Sequence, residues 1–518
     1  MDPILVTVLT LIVAVVLFIT NLVPPPVTAV LVTLTLFLTG TLTFEQSVAG
    51  FGDPIIIYLA CLFIVSESLD ATSVTAWAGQ VLVRRIGDDR VKVLGALMLL
   101  CAAFTALISV DGAVAALVPV AVMLSTRIAQ PPSKVMIPLA FAAHSASMLT
   151  LLGSPINVIV SEMAESAGAR PFGFFEFGLV GLPLVAGTIA IVLTFGQRLL
   201  PERVPENAPK DLSRYAERVA DDYAVPSAET ALSYEEGVAE AIITPHSTLI
   251  GETVFPGMQT DQGRLTVVGV TRDGRSLPSA SLRPGDAVLL RGSWDVLDTR
   301  SSLPGIAVVE MPEQIRRQSV VLGARSYAAV GVLAAMCALL ATGVFPPSIV
   351  VLIAAAVLVA SRVLTVGQAQ RSVQLTTLVV VAGMIPLSTA IQTSGTADLI
   401  ANWLVSAFGG GSPQLLLLGI VLVVVVLGQF LSNLATVLIV APIALSVAES
   451  AQISPLPLLM GIAVAAAAAF TTPIANTANL MIQGPGNYRF GDYWRIGLPM
   501  VVFFVAVATL LVPVIWAF

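Results

Sequence analysis

Charged side chains are scarce in this sequence: they make up 11% of its 518 residues, whereas hydrophobic residues make up 56%. A soluble domain carries about 25% charged residues, so this composition excludes a soluble protein for most of the chain. Many apolar runs of about 20 residues, the length that crosses a bilayer as a helix, account for the balance. The sequence therefore predicts an all-α polytopic membrane protein.

Cysteine and histidine are also rare. Cys61, Cys101 and Cys337 lie inside apolar runs, which excludes a disulfide framework and a cysteine metal site. The chain has only two histidines, no GxGxxG motif and no phosphate loop. Its net charge of −7 comes largely from the middle of the chain and therefore says little about the membrane part. Nucleic acid is disfavoured as a partner. We therefore expect neither an enzyme nor a bound cofactor.

Two stretches of the chain resemble each other, Gly153–Pro183 and Thr471–Pro499. Each contains a hydroxyl-Pro-Ile step, at Ser154 and at Thr472, followed by an Asn that opens a new apolar run. Asn157 and Asn479 are 322 positions apart, and the same offset pairs several other residues of the two ends of the chain. The pattern predicts two membrane repeats, residues 1–200 and 320–518, on either side of an insert at 201–319.

Each repeat is expected to contain three spans, a re-entrant hairpin, one broken helix and a final span. In the first repeat, the hairpin arms are Val93–Ile108 and Ala113–Ser125, and the polar tip between them cannot face lipid. Five crossings are an odd number, so the second repeat starts from the opposite side of the membrane. The sequence thus predicts inverted-topology repeats.

Basic residues of the loops give the orientation. Under this topology one side holds Arg84, Arg85, Arg90, Lys92, Arg127, Lys134, Arg362, Arg371 and Arg489. Arg170 falls on the other side. Because basic loops face the cytoplasm, we expect a cell (inner) membrane protein with a cytoplasmic insert and both termini outside.

The insert has the only soluble character. Its core, about residues 238–312, contains short β-rich runs at Glu240–Thr244, Arg264–Thr271 and Ala287–Arg291, the latter two separated by turn signals. We interpret it as a small α+β domain, preceded by a linker with some helix.

Broken helices place helix ends inside the membrane. Their N-termini carry partial positive charge and bind anions, whereas the exposed carbonyls of incoming C-termini suit a cation such as sodium. We expect the caps near Asp111–Gly112, Asn157, Asn433 and Asn479. The candidate substrate-binding residues are Asp111, Gly112, Ser154, Asn157, Ser432, Asn433, Thr472 and Asn479.

Ser432-Asn433 at the second tip, the loop Gly153–Asn157 and the ending GPGNYRFGDYWRIGLP resemble the divalent-anion/sodium symporter family. The resemblance implies sodium-coupled transport of sulfate first and a dicarboxylate second, by a homodimer with an elevator mechanism. It implies a sodium-binding set of Ser109, Asp111, Gly153, Asn157, Ser432, Asn433, Ala475 and Asn479. The chain departs from the family at both tips, where Val110-Asp111-Gly112 replaces one Ser-Asn-Thr and Leu434 replaces the last Thr of the other.

The insert resembles the C-terminal subdomain of RCK (TrkA-C-like) modules through Ser247–Gly251, Val268–Gly274 and Leu282–Leu290. That resemblance implies a regulatory or dimerising domain that binds an unknown small effector. The alternative is a passive cytoplasmic lid.

Two other functions stay open. One is a cation/proton antiporter or metalloid-efflux permease, for which Asp111 is the ion-binding carboxylate. The other is a gated channel or sensor built around the insert. His144 is either a proton site or a core histidine, and we favour the core role.

Overall fold

The computed structural model describes residues 2–20, 22–85, 89–128, 130–203, 223, 236–259, 265–272, 275–293, 296–297, 306–308, 322–400, 402, 412–473 and 475–518. The chain divides into two compact units. One consists of residues 1–68, 82–208 and 330–518, and the other of residues 69–81 and 209–329. The boundaries 1–200, 201–319 and 320–518 stay a prediction.

Helices make up the described chain before residue 200. They are α1 (Pro3–Thr20), α2 (Pro25–Leu38), α3 (Phe44–Val48), α4 (Pro54–Ala71), α5 (Val74–Arg85), α6 (Arg90–Thr105), α7 (Val110–Arg127), α8 (Met136–Ala146), α9 (Pro155–Ser166), α10 (Gly178–Ile191) and α11 (Gln197–Leu199). A π-helical segment, Val192–Gly196, joins the last two.

The described chain after residue 322 is helical too. Its helices are α12 (Ala324–Thr342), α13 (Pro347–Ala360), α14 (Val366–Ser372), α15 (Leu375–Thr393), α16 (Pro413–Gly428), α17 (Asn433–Ala451), α18 (Pro455–Ala466), α19 (Thr477–Gln483), α20 (Tyr493–Ala506) and α21 (Val512–Ile515). The segment between α20 and α21, Val507–Leu511, is again π-helical.

Seven helical stretches among the described residues are long and apolar enough to cross a membrane. They are Pro3–Thr20, Phe44–Ala71, Gly178–Gly196, Ala324–Thr342, Leu375–Thr393, Asn433–Ala451 and Phe490–Ile515. The chain is therefore a multi-pass membrane protein. The inversion of its two halves stays a prediction.

The two halves share a capping box and a closely packed glycine at matching positions. Thr43 and Gln46 form a capping box at the start of α3, and Thr365 and Gln368 form the same box at the start of α14. Two glycines share a further role: a Cβ added at Gly181 would overlap the carbonyl of Met148, and one at Gly497 would overlap that of Phe470. In each half, therefore, glycine lets the last long helix lie against the backbone of the broken helix.

The halves also pack across each other. Helix α9 packs against α17 and α18, and α19 packs against α7 and α8. Helices α2 and α15 meet along their length, where the Thr33 hydroxyl donates to the Gly383 carbonyl at 3.0 Å. Each broken helix of one half is therefore supported by the hairpin of the other.

The second unit contains an antiparallel sheet in the order β4-β3-β6-β1-β7, with β2 paired to β5 separately. The strands are β1 (Glu236–Ile243), β2 (Thr253–Val254), β3 (Leu265–Arg272), β4 (Arg275–Leu277), β5 (Ala280–Ser281), β6 (Ala287–Ser293) and β7 (Ile306–Val308). Strands are thus present at all three positions that the sequence indicated. Most of the predicted linker, Pro201–Glu240, lies outside the described residues.

One ion pair ties this sheet to its turns. The Arg272 guanidinium donates to both oxygens of Asp286 at 2.6 Å, and the Arg283 backbone N–H donates to the same carboxylate at 2.8 Å. These donors hold the pKa of Asp286 below its ordinary value, with the Arg272 bonds contributing most. Asp286 is therefore a structural carboxylate.

Candidate functional site

The larger unit encloses a cavity of about 300 Å³ at the point where both hairpin tips and both helix breaks converge. Its lining residues come from the starts of α7, α9, α17 and α19, with further contributions from α8, α15 and α18. The polar lining consists of Ser109, Asp111, His144, Ser147, Ser154, Asn157, Gln374, Thr376, Thr377, Ser432, Asn433, Asn476 and Thr477. Helix starts direct backbone N–H groups into such a space.

The two breaks have the same hydrogen-bond geometry. The Asn157 Nδ2 donates to the carbonyls of Ser147 and Thr150, both at 2.8 Å, 10 and 7 residues earlier. The Asn479 Nδ2 donates to the carbonyls 10 and 7 residues before it, those of Ala469 at 2.7 Å and Thr472 at 3.1 Å. Each Asn is fully buried, so its amide satisfies carbonyls that the interruption of the helix releases.

This geometry corrects the predicted correspondence between the copies. The helix after the first break is capped by Ser154, and the helix after the second is capped by Asn476. Ser154 therefore corresponds to Asn476, and Thr472 corresponds to Thr150, at the same separation as the two asparagines. The hydroxyl-Pro-Ile steps at Ser154 and Thr472 therefore do not occupy equivalent positions in the two breaks.

The caps themselves lie one to three residues before the predicted positions. The Ser109 hydroxyl accepts from the Gly112 N–H at 3.2 Å, and the Ser432 hydroxyl accepts from the Ala435 N–H at 3.3 Å. Helix α8 ends at Ala146. The sequence reasoning placed the caps on amides because Asn caps well, but in the break at Asn157 the amide is used to hold carbonyls.

Hydroxyls join each hairpin to the adjacent break. The Thr150 hydroxyl donates to the carbonyl of Ala106, which ends α6, at 2.5 Å. The Thr472 hydroxyl donates to the carbonyl of Gln429, which ends α16, at 2.9 Å. Thr472 thus lies behind the cavity, where it positions the tip.

Gln429 adds a second link in the second half alone. Its Nε2 donates to the carbonyls of Val425 and Ala468, both at 3.1 Å, and its Oε1 accepts from the backbone N–H and the hydroxyl of Thr471. All four hydrogen-bonding positions of the amide are used. The matching residue in the first half is Leu107, so the second tip is held more firmly than the first.

Three side-chain oxygens at the cavity are buried and have no hydrogen-bond donor within the described part of the chain. They are Oδ1 of Asp111, Asn157 and Asn433. A buried acceptor without a donor costs about 1–3 kcal/mol. The described lining includes no Lys or Arg, and Asp111 is its one carboxylate. The site therefore offers oxygen ligands to a cation and N–H donors to an anion.

Gly112, Thr472 and Asn479 are the predicted site residues that the described lining does not include. Gly112 packs the first tip, since a Cβ there would lie 2.7 Å from the Ser66 hydroxyl oxygen on α4. The cavity brings together the other predicted residues, Ser109, Asp111, Gly153, Ser154, Asn157, Ser432, Asn433 and Ala475.

The sequence did not indicate Asn476 and Thr477 as site residues, and it favoured a core role for His144. Asn476 follows from applying the constant offset through the whole break, because it lies 322 positions after Ser154, whereas Thr477 matches Pro155 and had no such signal. His144 lines the cavity, and its Nε2 lies 3.2 Å from Asn479 Oδ1. No clear signal marked this contact, because the two residues lie in different halves. The described residues contain no group of three His, Cys, Asp or Glu side chains suited to a metal ion.

Relatives of this chain are named as transporters. The chain is 29% identical to the uncharacterized transporter YfbS of Escherichia coli strain K12, over 98% of both chains. It is 25% identical to the probable sodium/sulfate cotransporter 3 of Chlamydomonas reinhardtii, over 54% of this chain and 32% of that one. The crystal structure of the YdaH transporter of Alcanivorax borkumensis overlaps 91% of this chain and 87% of that chain with a TM-score of 0.49 and 16% identity.

The relatives named sodium/sulfate cotransporter agree in part with the resemblance noted in the sequence, whereas the RCK-like character of the insert stays a prediction. The model of the citrate transporter family matches residues 15–408 and 393–518, which together span most of the chain. This chain belongs to the citrate transporter family.

Proposed function

We propose that the protein is a secondary active transporter that moves a small divalent anion, sulfate first and a dicarboxylate second, together with sodium. The observation that carries the proposal is the cavity at which both tips and both breaks meet, with buried acceptor oxygens and no Lys or Arg in its described lining. Relatives named sodium/sulfate cotransporter support the choice of substrate class.

The anion is expected to bind at helix N-termini. The starts of α7, α9 and α17 all line the cavity, at Ser109, Ser154 and Ser432. Backbone N–H groups and the positive ends of the helix dipoles favour negative charge without any Lys or Arg. Such donors suit a compact oxyanion because they surround it from several directions.

Sodium is expected to bind the oxygen atoms that lack donors. Asp111 and Asn433 occupy the matching positions of the two tips, and Asn157 lies in the first break. A carboxylate inside a membrane is costly, and it repels an anion unless a bound cation or proton neutralises it. Binding of the cation therefore prepares the site for the anion, which couples the two fluxes.

Uptake by purified protein in liposomes tests this proposal. We expect inward sodium gradients to drive uptake of radioactive sulfate, with dicarboxylates and citrate compared as competitors. Asn433→Ala should abolish sodium-driven uptake in a folded protein. Proton-driven cation flux without anion uptake would instead identify an antiporter that uses Asp111, and flux without any coupling would identify a channel.

The orientation is part of the proposal. We place residues 201–319 in the cytoplasm of a cell-membrane protein, with both termini outside. In a variant without native cysteines, Asp295→Cys should resist an impermeant thiol reagent in intact cells and react after permeabilisation. Labelling in intact cells would contradict the inverted topology.

The insert is proposed to regulate transport, through a small effector, in a homodimer that works by an elevator movement. Replacement of residues 213–312 by a flexible linker should leave transport in place, with altered rate or effector response. Complete loss of uptake from a folded protein would show that the insert is part of the transport machinery.

A further inference from the structure

The two asparagines of the helix breaks differ in what contacts their side-chain oxygen. Asn157 and Asn479 make the same pair of Nδ2 hydrogen bonds, yet Asn157 Oδ1 has no donor within the described residues, whereas Asn479 Oδ1 lies 3.2 Å from His144 Nε2.

The donor in the second contact is the histidine. Both hydrogens of the Asn479 amide are directed at backbone carbonyls, so its Oδ1 can only accept. His144 Nε2 therefore carries the hydrogen. His144 lines the cavity and Asn479 does not, so the imidazole stands between this oxygen and the space where ligands bind.

The matching donor is missing from the first break. His144 lies in the last turn of α8, and the residue 322 positions later is Ala466, the last residue of α18. Alanine has no side-chain donor. Asn157 Oδ1 is consequently left open beside the same cavity that Asp111 and Asn433 line.

We propose that His144 makes the cation stoichiometry asymmetric: a sodium ion binds at the first break through Asn157 Oδ1, and the His144 N–H fills the equivalent position at the second break. The inference rests on the proposed sodium coupling and specifies it. His144 is then a specificity-determining residue, because its N–H occupies the position that an ion would otherwise take.

Equilibrium binding of radioactive sodium to the purified full-length protein, with sulfate present, tests the inference by counting ions per protomer. We expect one ion at this pair of positions in the wild type and one in His144→Gln, whose amide N–H can replace the imidazole donor. His144→Ala removes the donor and should admit a second ion. The melting temperature of His144→Ala should also rise more steeply with sodium concentration than that of the wild type, because each additional ion that binds the folded protein stabilises it further.

Equal sodium counts in the wild type and in a folded His144→Ala protein would overturn the inference. A higher count in His144→Gln than in the wild type would overturn it as well, because the amide N–H should keep the second position filled. Absence of sodium binding and of sodium-driven uptake in the wild type would refute the proposed function itself, so the two failures are distinguishable.

Discussion

Replacing Asn157 by leucine tests whether this amide holds the first break together. The side chain donates to two buried carbonyls, those of Ser147 and Thr150. Leucine is close in volume but has no donor, so both carbonyls lose their partner. Each orphaned group costs about 1–3 kcal/mol, which gives about 2–6 kcal/mol for Asn157→Leu. The free energy of unfolding of a folded protein is typically about 5–15 kcal/mol, so a loss of this size should lower the melting temperature clearly.

Asn433→Leu is the matched control. Asn433 Oδ1 also lines the cavity but has no donor to lose. We expect Asn433→Leu to unfold near the wild-type temperature and to lose coupled uptake, whereas Asn157→Leu should lose both stability and uptake. Thermal unfolding of the purified proteins in detergent, combined with uptake in liposomes, separates the two effects. A wild-type melting temperature for Asn157→Leu would refute the structural role of its amide.

Three further changes test other parts of the account. Gln429→Leu introduces the residue type found at the matching position of the first half, Leu107, and removes four hydrogen bonds at the second tip. We expect lower thermal stability and a raised KM for the anion. Unchanged values of both would show that these hydrogen bonds do not hold the second tip in place. Asp111→Asn should shift the sodium or pH dependence of uptake while the melting temperature stays near wild type, because Asn matches Asp in shape and the cap of α7 is provided by Ser109; identical ion and pH profiles would exclude an ion-binding role for Asp111. The bonds from Arg272 lower the pKa of Asp286, so their stabilisation is complete above the unfolded value of about 3.9 and is lost as the pH falls through the lower folded value. Hydrogen exchange of the β-strands should therefore rise in Asp286→Asn at neutral pH and converge with wild type in acid, and equal exchange at neutral pH would contradict the structural role of this carboxylate.

The sequence was sufficient for the features that depend on local chemistry. Apolar runs predicted the membrane helices because lipid requires long uncharged helices. Polar interruptions at Ser109, Gly153 and Ser432 likewise marked residues that line the cavity. The short β-rich runs and their turns located β1, β3 and β6.

Contacts between distant parts of the chain were beyond the sequence. The pairing of His144 with Asn479 depends on how α8 of one half packs against α19 of the other. The alignment of the second break with the first was predicted wrongly. It matched the Ser-Pro-Ile step at Ser154 to the Thr-Pro-Ile step at Thr472 instead of keeping the constant spacing of Asn157 and Asn479. A hydrogen-bond pattern at fixed separations, visible only in the structure, identifies Asn476 as the true counterpart of Ser154.

Concentrative uptake measures the central claim most directly. Purified protein in liposomes, given an inward sodium gradient and no proton gradient, should accumulate sulfate or a dicarboxylate above its equilibrium level, and a sodium ionophore should collapse the accumulation. Asn433→Ala in the same liposomes should not accumulate the anion. Anion entry that stops at equilibrium, or that follows a proton gradient and ignores sodium, would contradict sodium-coupled transport at this cavity.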